Sequence, residues 1–377
     1  MRIGAIVEAF RDWRDRRAAF KEIRDQEADM APYRGFEIGI ILNRVKAAAF
    51  QDNHDATIAA WHELNAVAPE LAMTSTSVLR ALMHVGEAAF ADELLVKAQQ
   101  AYPTVGELAQ LYAEAAQRRG QWEEANRRWE NVRKRFPEIR SSYTFGSICL
   151  LELGRFDEAE KALEHGLRLA SDDSMALFQY ARAAEKRENW EQAYQRWLVA
   201  RERLTEDVTP SVEAARCLKH MGRDDEAIEL LEKARWRYQS SFLPGQELAR
   251  IPHDRGDWEA AWKQWDALRV AYPRAPSAYV FGAEALNNLG RHDEADALLL
   301  RGADRFQETE ETGPMFAYAV AAHNRRDWPE AARRWAIMRD WYPTARQGYK
   351  WGGDALEFAG DLAGAEEVRE RGALLGA

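Results

Sequence analysis

Gly120-Gln121-Trp122-Glu123-Glu124-Ala125 opens a segment that closes at Phe136-Pro137, and the fold is decided by how regularly that segment returns. With Ala125 as anchor, its counterparts are Thr57, Ala91, Ala159, Ala193, Ala227, Ala261, Ala295, Ala331 and Ala365. Successive anchors lie 34 residues apart, except Ala295 and Ala331, which are 36 apart. Five residues before the anchor stands a turn residue, often glycine: Gly86, Gly120, Gly154, Gly222, Gly256, Gly290 and Gly360. Twelve residues after it comes proline in five copies: Pro69, Pro103, Pro137, Pro273 and Pro343. Glycine lets the chain leave a helix through positive φ, and proline stops the next helix.

Between these breakers the apolar spacing is helical. Trp122, Ala125, Trp129, Val132 and Phe136 fall at steps of three and four, on one helix face, and Leu108, Tyr112, Ala113 and Ala116 do the same in the preceding segment. Each copy therefore reads as helix, tight turn, helix, breaker. One such hairpin cannot bury both its faces, so neighbours must stack.

Composition agrees with a soluble array. Hydrophobic residues make up 46% and charged residues 30% of 377, which is no disorder signature. The formal net charge of -10 argues against a protein devoted to coating nucleic acid. Cys149 and Cys217 form no Cys-x-x-Cys pair, so neither a zinc knuckle nor a disulfide framework is indicated, and a reducing compartment suits them. No apolar stretch reaches the roughly 18 residues that span a bilayer. The charge at Glu8 comes too early for a secretory leader. The expected location is cytoplasmic, with a peripheral place at an inner membrane face as the variant.

On this pattern the chain resembles the tetratricopeptide repeat family. A small residue sits at the close-packed point of the first helix: Ala113, Ala181, Ala215, Ala249, Ala283, Ala319 and Gly353. The anchor Ala, an aromatic or Leu four residues on, an apolar residue at eleven and Pro at twelve complete the match over about residues 40–377. The family's Trp near the start of the first helix is mostly absent, with Tyr143, Tyr279 and Tyr349 in its place in three copies. The resemblance implies an all-α, right-handed superhelical solenoid of about ten helix-turn-helix repeats, with first helices lining a concave face. Residues 1–36 are expected to form an N-terminal amphipathic or capping helix region, and residues 37–377 the solenoid, its last copy an end cap.

A second period lies inside the first. Four residues after the anchor, odd copies carry Trp61, Trp129, Trp197, Trp265 and Trp335, and even copies Leu95, Leu163, Leu231 and Leu299. Three residues before it the odd set has Trp122, Trp190, Trp258 and Trp328. The expected meaning is a bulky packing layer alternating with a lean one. In the tenth copy the Trp/Leu slot holds Arg369, the mark of a polar end.

Three departures stand out. Pro252 falls inside a first helix and is expected to kink or end it, with widening of the groove as the functional alternative. The two extra residues lie in the acidic stretch Gln307–Gly313, expected to be a solvated turn. Residues 1–28 lie outside the period, with a helical stripe of Ile3, Ile6, Val7, Phe10, Trp13, Phe20 and Ile23 beside Arg11, Arg14, Arg16 and Arg17. That stripe reads as a cap on the first hairpin, as a partner-binding helix, or as a helix lying on a membrane surface.

No catalytic constellation is present in the sequence. The eight histidines form no His-Glu-x-x-His motif, and no glycine cluster cradles phosphate. His54 and His292 occupy the Trp122 slot and read as packing substitutions. No cofactor and no metal are expected.

If the first helices line the groove, as the resemblance implies, inward residues lie 15, 11 and 8 before each anchor. In the fifth to seventh copies these are Phe178, Arg182, Glu185; Val212, Arg216, Lys219; and Gln246, Arg250, His253. Phe178, Arg182, Arg216, Lys219, Arg250 and His253 are the candidate partner-binding residues, with Arg182, Arg216 and Arg250 as a ladder for carboxylates of an acidic peptide. Later copies offer Val280, Glu284, Asn287, Phe316, Val320 and His323, a less basic run. The expected function is a non-catalytic bacterial-type scaffold or adaptor for a protein or peptide. The alternative is an accessory subunit of an envelope or polysaccharide assembly complex, docked at a membrane by residues 1–28, with RNA binding third.

Overall fold

The computed structural model describes residues 31–309 and 311–376, and these hold α-helices and one short 3-10 turn, with no strand. The stripe read in residues 1–28 lies outside the described residues. The chain divides into two compact units at Asn189 and Trp190.

The first unit runs through α1 (Ala31–Phe50), α2 (His54–Val67), the short α3 (Pro69–Thr74), α4 (Thr76–His84), α5 (Ala88–Ala101), α6 (Gly106–Arg118), α7 (Trp122–Arg135), α8 (Ser141–Glu152), α9 (Phe156–Leu169) and α10 (Ser174–Lys186). The second holds α11 (Trp190–Arg203), α12 (Thr209–His220), α13 (Asp224–Arg237), α14 (Leu243–Asp254), α15 (Trp258–Ala271), α16 (Pro276–Asn288), α17 (His292–Phe306), α18 (Gly313–Asn324), α19 (Trp328–Trp341), α20 (Arg346–Phe358) and α21 (Leu362–Ala373). Each anchor sits near the start of a second helix, as the period requires.

The turn between the two helices of a hairpin is left-handed at one position. Gly120, Gly222 and Gly256 take φ of 69°, 70° and 73° there. Where glycine is missing the conformation persists, with Asp52, Glu188 and Arg326 at φ of 52°, 57° and 59°. The demand comes from the hairpin and not from glycine, and the three side chains bear a backbone strain that glycine avoids.

Three second helices of the second unit start on an aspartate cap, at Asp257, Asp327 and Asp361. Asp257 accepts from the backbone N–H of Ala260 and Asp327 from that of Glu330, three residues on, meeting donors that the first turn leaves orphaned.

The anchors are the tightest points of the core. Nine are 0% exposed and the last, Ala365, is 1% exposed, so a side chain larger than Ala or Thr would separate the helices there. Trp129, Trp197, Trp265 and Trp335 are fully buried, and Leu95, Leu163, Leu231 and Leu299 fill the alternate layers. Trp129 stacks on Phe145 of the next hairpin at 5.6 Å, and Trp265 on Phe281 at 5.0 Å. Arg369 in the same slot is half exposed and bonds Asp354 and Glu357. The last hairpin thus presents charge where the others present an aromatic or Leu.

Two expectations change. α14 runs through Pro252 to Asp254, so the proline does not end the helix, and its end matches those of α12 and α16 one period away. Proline near a C-terminus gives up only one ladder bond, which the last turn tolerates. His54 and His292 do not pack as tryptophan does: His54 is exposed between Asp55 and Glu87, and His292 pairs with Asn287 at 3.0 Å. The Gln307–Gly313 stretch is exposed at Gln307, Glu308, Thr309 and Glu311.

Candidate functional site

The candidate residues fall in both units. Phe178 and Arg182 lie on α10 of the first unit, Phe178 half-buried and Arg182 exposed. Arg216 and Lys219 on α12, with Arg250 and His253 on α14, belong to the second unit and share its first-helix side.

Within the second unit these four side chains differ sharply. Arg216 donates to Glu213 at 2.9 Å and to the buried Glu247 at 2.8 Å, and the Glu247 hydrogen bond holds its guanidinium above the usual range. Lys219 is tied to Asp254 at 3.0 Å. Val212, expected to face inward, is buried. Arg250 is exposed and makes no ion pair or side-chain hydrogen bond among the described residues. Of the two guanidinium rungs in this unit, one already holds two carboxylates and one is available.

His253 is mostly buried and serves the core. Its Nδ1 receives the indole N–H of Trp265 at 3.3 Å, and Trp258, Trp265 and Phe281 meet its ring nearly edge-on. Indole only donates, so Nδ1 carries no proton and the ring N–H is at Nε2, which faces Glu284 at 3.6 Å. Gln117 does the same for Trp129 at 3.0 Å in the first unit. The position eight before the anchor is thus an acceptor for the buried tryptophan in both.

The open space lies one hairpin beyond Arg250. Between α16 and α18 a cleft of about 640 Å³ is floored by Val280, Ala283, Phe316 and Val320, with Glu284, Asn287 and Asn324 on its rim. A second hollow of about 760 Å³ reaches from Phe242 and Tyr272 to Glu311 and adjoins it, both touching Val280 and Gly313. Val280, Glu284, Phe316 and Val320 stand 15 and 11 before their anchors, the same register as Arg216 and Arg250. Between α12 and α14 the matching space is spanned by the Arg216–Glu247 pair. The cleft coincides with the hairpin junction lengthened by two residues, and the surfaces there are apolar.

One wall of the cleft is fixed by buried charge that the sequence reading missed. Arg334, 5% exposed, donates to Asp296 at 2.5 Å, to Glu330 at 2.7 Å and to the Tyr318 carbonyl at 2.9 Å, with its guanidinium over the Tyr318 ring. Arg325, which lines the cleft, reaches the same Asp296 at 2.7 Å. Burial pushes the Asp296 carboxyl up, yet hydrogen bonds from Arg334 and Arg325 outweigh it and hold it below the carboxylate range. The first unit repeats the set residue for residue: Arg128 on Asp92, Glu124 and the Tyr112 carbonyl, with Arg119 on Asp92. The signal in the sequence is Arg immediately before the odd-copy Trp, at Arg128-Trp129 and Arg334-Trp335.

Among the described residues no three His, Cys, Asp or Glu side chains gather to hold a metal ion. The Cys149 thiol is pushed up to about 12, chiefly by burial, which leaves it an inert packing group. No described helix is long and apolar enough to cross a membrane.

The tetratricopeptide repeat model matches residues 108–138, 139–173 and 212–241, in register with three of the hairpins above. The chain is a tetratricopeptide repeat protein. Its repeats make it a protein–protein interaction scaffold. No curated protein matches it in sequence. Among solved structures it is similar to a tetratricopeptide repeat protein from Parabacteroides merdae, at 11% identity and TM-score 0.46, over 66% of this chain and 98% of that one. It is also similar to MamA from Desulfovibrio magneticus, at 16% identity and TM-score 0.39, over 44% and 93% of the two chains. YrrB, described as having an unusual peptide-binding site, is similar at 16% identity and TM-score 0.38, over 49% and 95%.

Proposed function

We propose that this tetratricopeptide repeat protein is a non-catalytic adaptor that holds a segment of a partner protein along the first-helix side of its second unit. The open apolar cleft between α16 and α18, one hairpin from the unpaired Arg250, carries the reading. An apolar side chain of the partner would fill the floor of Val280, Phe316 and Val320. Such burial is worth about 1.5–3 kcal/mol for a Leu- or Phe-sized group. A partner carboxylate would meet Arg250, whose planar fork suits bidentate contact.

Arg216 and Lys219 take a lesser part, because a ligand must compete with Glu247 and Asp254 for them. The experiment is affinity capture from the native host with wild type, Val320→Asp and Arg250→Glu. Arg250 is exposed, so its reversal is expected to leave the melting temperature unchanged, whereas Val320 is partly buried against the core and Val320→Asp is read only where its melting temperature shows the fold intact. Proteins held by wild type and lost from both variants support the reading. Partners retained equally by both variants overturn it. Reversing Arg216 is a poor probe, since a carboxylate there would face the buried Glu247.

A further inference from the structure

The register that sets Arg250 beside the cleft also orders the charges around it. Eleven residues before the anchor, successive first helices carry Arg250 on α14, Glu284 on α16 and Val320 on α18. These helices are neighbours. The Ser277 hydroxyl on α16 donates to the Gln246 carbonyl oxygen on α14 at 3.3 Å, and α16 and α18 enclose the cleft between them. The three residues therefore make a row across the helices: a cation, an anion and an apolar side chain in turn. Both charges are open to a ligand. Arg250 is exposed, with no ion pair among the described residues, and the Glu284 side chain is half exposed and faces the His253 ring N–H at 3.6 Å.

We propose that the segment held by the second unit is an extended chain whose acidic, basic and apolar residues follow one another at intervals of three. The proposal rests on this groove being the adaptor's binding face. Packed helices lie about 8–10 Å apart, and an extended chain advances about 3.3 Å per residue, so one hairpin corresponds to about three residues. The acidic residue takes the guanidinium fork of Arg250, the basic one takes Glu284, and the apolar one enters the cleft against Val320 and Phe316. A segment with its two charges exchanged would set like charges together at both places, so the row rejects as well as selects. An extended chain also leaves its peptide groups in need of partners, which a helix supplies for itself. The rim offers the exposed amide of Asn324, and that of Asn287, whose oxygen faces His292 at 3.0 Å while its NH2 is left to donate.

The test is fluorescence anisotropy of the full chain with labelled peptides. Glu-Thr-Thr-Lys-Thr-Thr-Leu is compared with Lys-Thr-Thr-Glu-Thr-Thr-Leu, and with a peptide that spaces Glu, Lys and Leu by seven residues, as a helix would require. Each is made in both chain directions, because the row fixes the order and not the direction. A peptide of the first order should bind about tenfold more tightly than either of the others. The double variant Arg250→Glu/Glu284→Arg, at two exposed positions, should reverse the preference between the first two, which a weakened fold would not do. Peptides bound all alike or not at all, a preference for the seven-residue spacing, or a preference unchanged in the double variant overturns the inference. If host partners are nevertheless lost from Arg250→Glu and from a folded Val320→Asp, the adaptor function stands and the three-residue pattern alone falls.

Discussion

Trp265 gives its indole N–H to Nδ1 of His253 at 3.3 Å, and Trp129 gives its own to Gln117 at 3.0 Å from the same place in its hairpin. The equivalence turns a residue that looked like a groove ligand into part of the core. His253→Gln should therefore keep the acceptor and stay close to wild type in stability. His253→Leu leaves the N–H of a fully buried tryptophan unpaired, at a cost of about 1–3 kcal/mol. Urea denaturation of the two variants decides, and equal midpoints would show that the bond contributes nothing.

The contrast shows how far the sequence could be read. The period, the helix pairs and the buried Trp/Leu layers all follow from spacing, because a repeat exposes its packing rule many times over. Side-chain pairing across hairpins does not repeat so strictly. Arg216 and Arg250 occupy one register, yet only the first meets a carboxylate from the next hairpin, Glu247. The residue one period beyond Glu247, where Arg250 would need its own partner, is the apolar Phe281. The cleft could be suspected only from the spacing of Ala295 and Ala331, and its apolar floor only from Val280, Phe316 and Val320 taken together.

Glu330 should make stability depend on acid. Hydrogen bonds from Arg333, and after a smaller opposing effect of burial from Arg334, hold its carboxyl down to about 2, against an ordinary 4.5. A folded-state value below the unfolded one means stabilisation that is full above about pH 4.5 and lost as pH falls toward 2. Glu330→Gln should melt lower than wild type at neutral pH, and the gap should close through that window. A gap that stays constant with pH would assign the loss to packing instead.

The buried Arg334 and the partly buried Asp296 pair behind the cleft, so their substitutions should not add. Asp296→Ala leaves Arg325 without its carboxylate and Arg334 with Glu330 as its one remaining carboxylate, and should cost about 1–3 kcal/mol. The double variant Asp296→Ala/Arg334→Met removes one of those charges along with its partner and should lose less than the single change. A double-mutant cycle by chemical denaturation measures the coupling. Simple additivity would mean that the pair is held by its surroundings and does little for them.

Trp335 and Arg369 stand in one slot of consecutive hairpins, the first 0% exposed and the second with its side chain 45% exposed. Trp335→Ala should cost about 3–5 kcal/mol through the cavity it opens. Arg369→Ala breaks only exposed ion pairs and should cost under about 1 kcal/mol. Similar losses at the two sites would mean that the last hairpin is not an end but is covered in the folded protein.

Arg326 offers the reverse case, a gain. It holds φ of 59° at the turn position that Gly256 fills at 73° one odd copy earlier, and its side chain is exposed with no ion pair among the described residues. The left-handed conformation costs an ordinary side chain about 1–2 kcal/mol, and glycine escapes that cost while adding some unfolded-state entropy. Arg326→Gly should therefore stabilise the protein by about 1 kcal/mol, and Gly256→Ala should destabilise it by a similar amount. Both are read from denaturation midpoints in the same buffer. A loss on Arg326→Gly would mean that the arginine makes a contact worth more than the strain it carries.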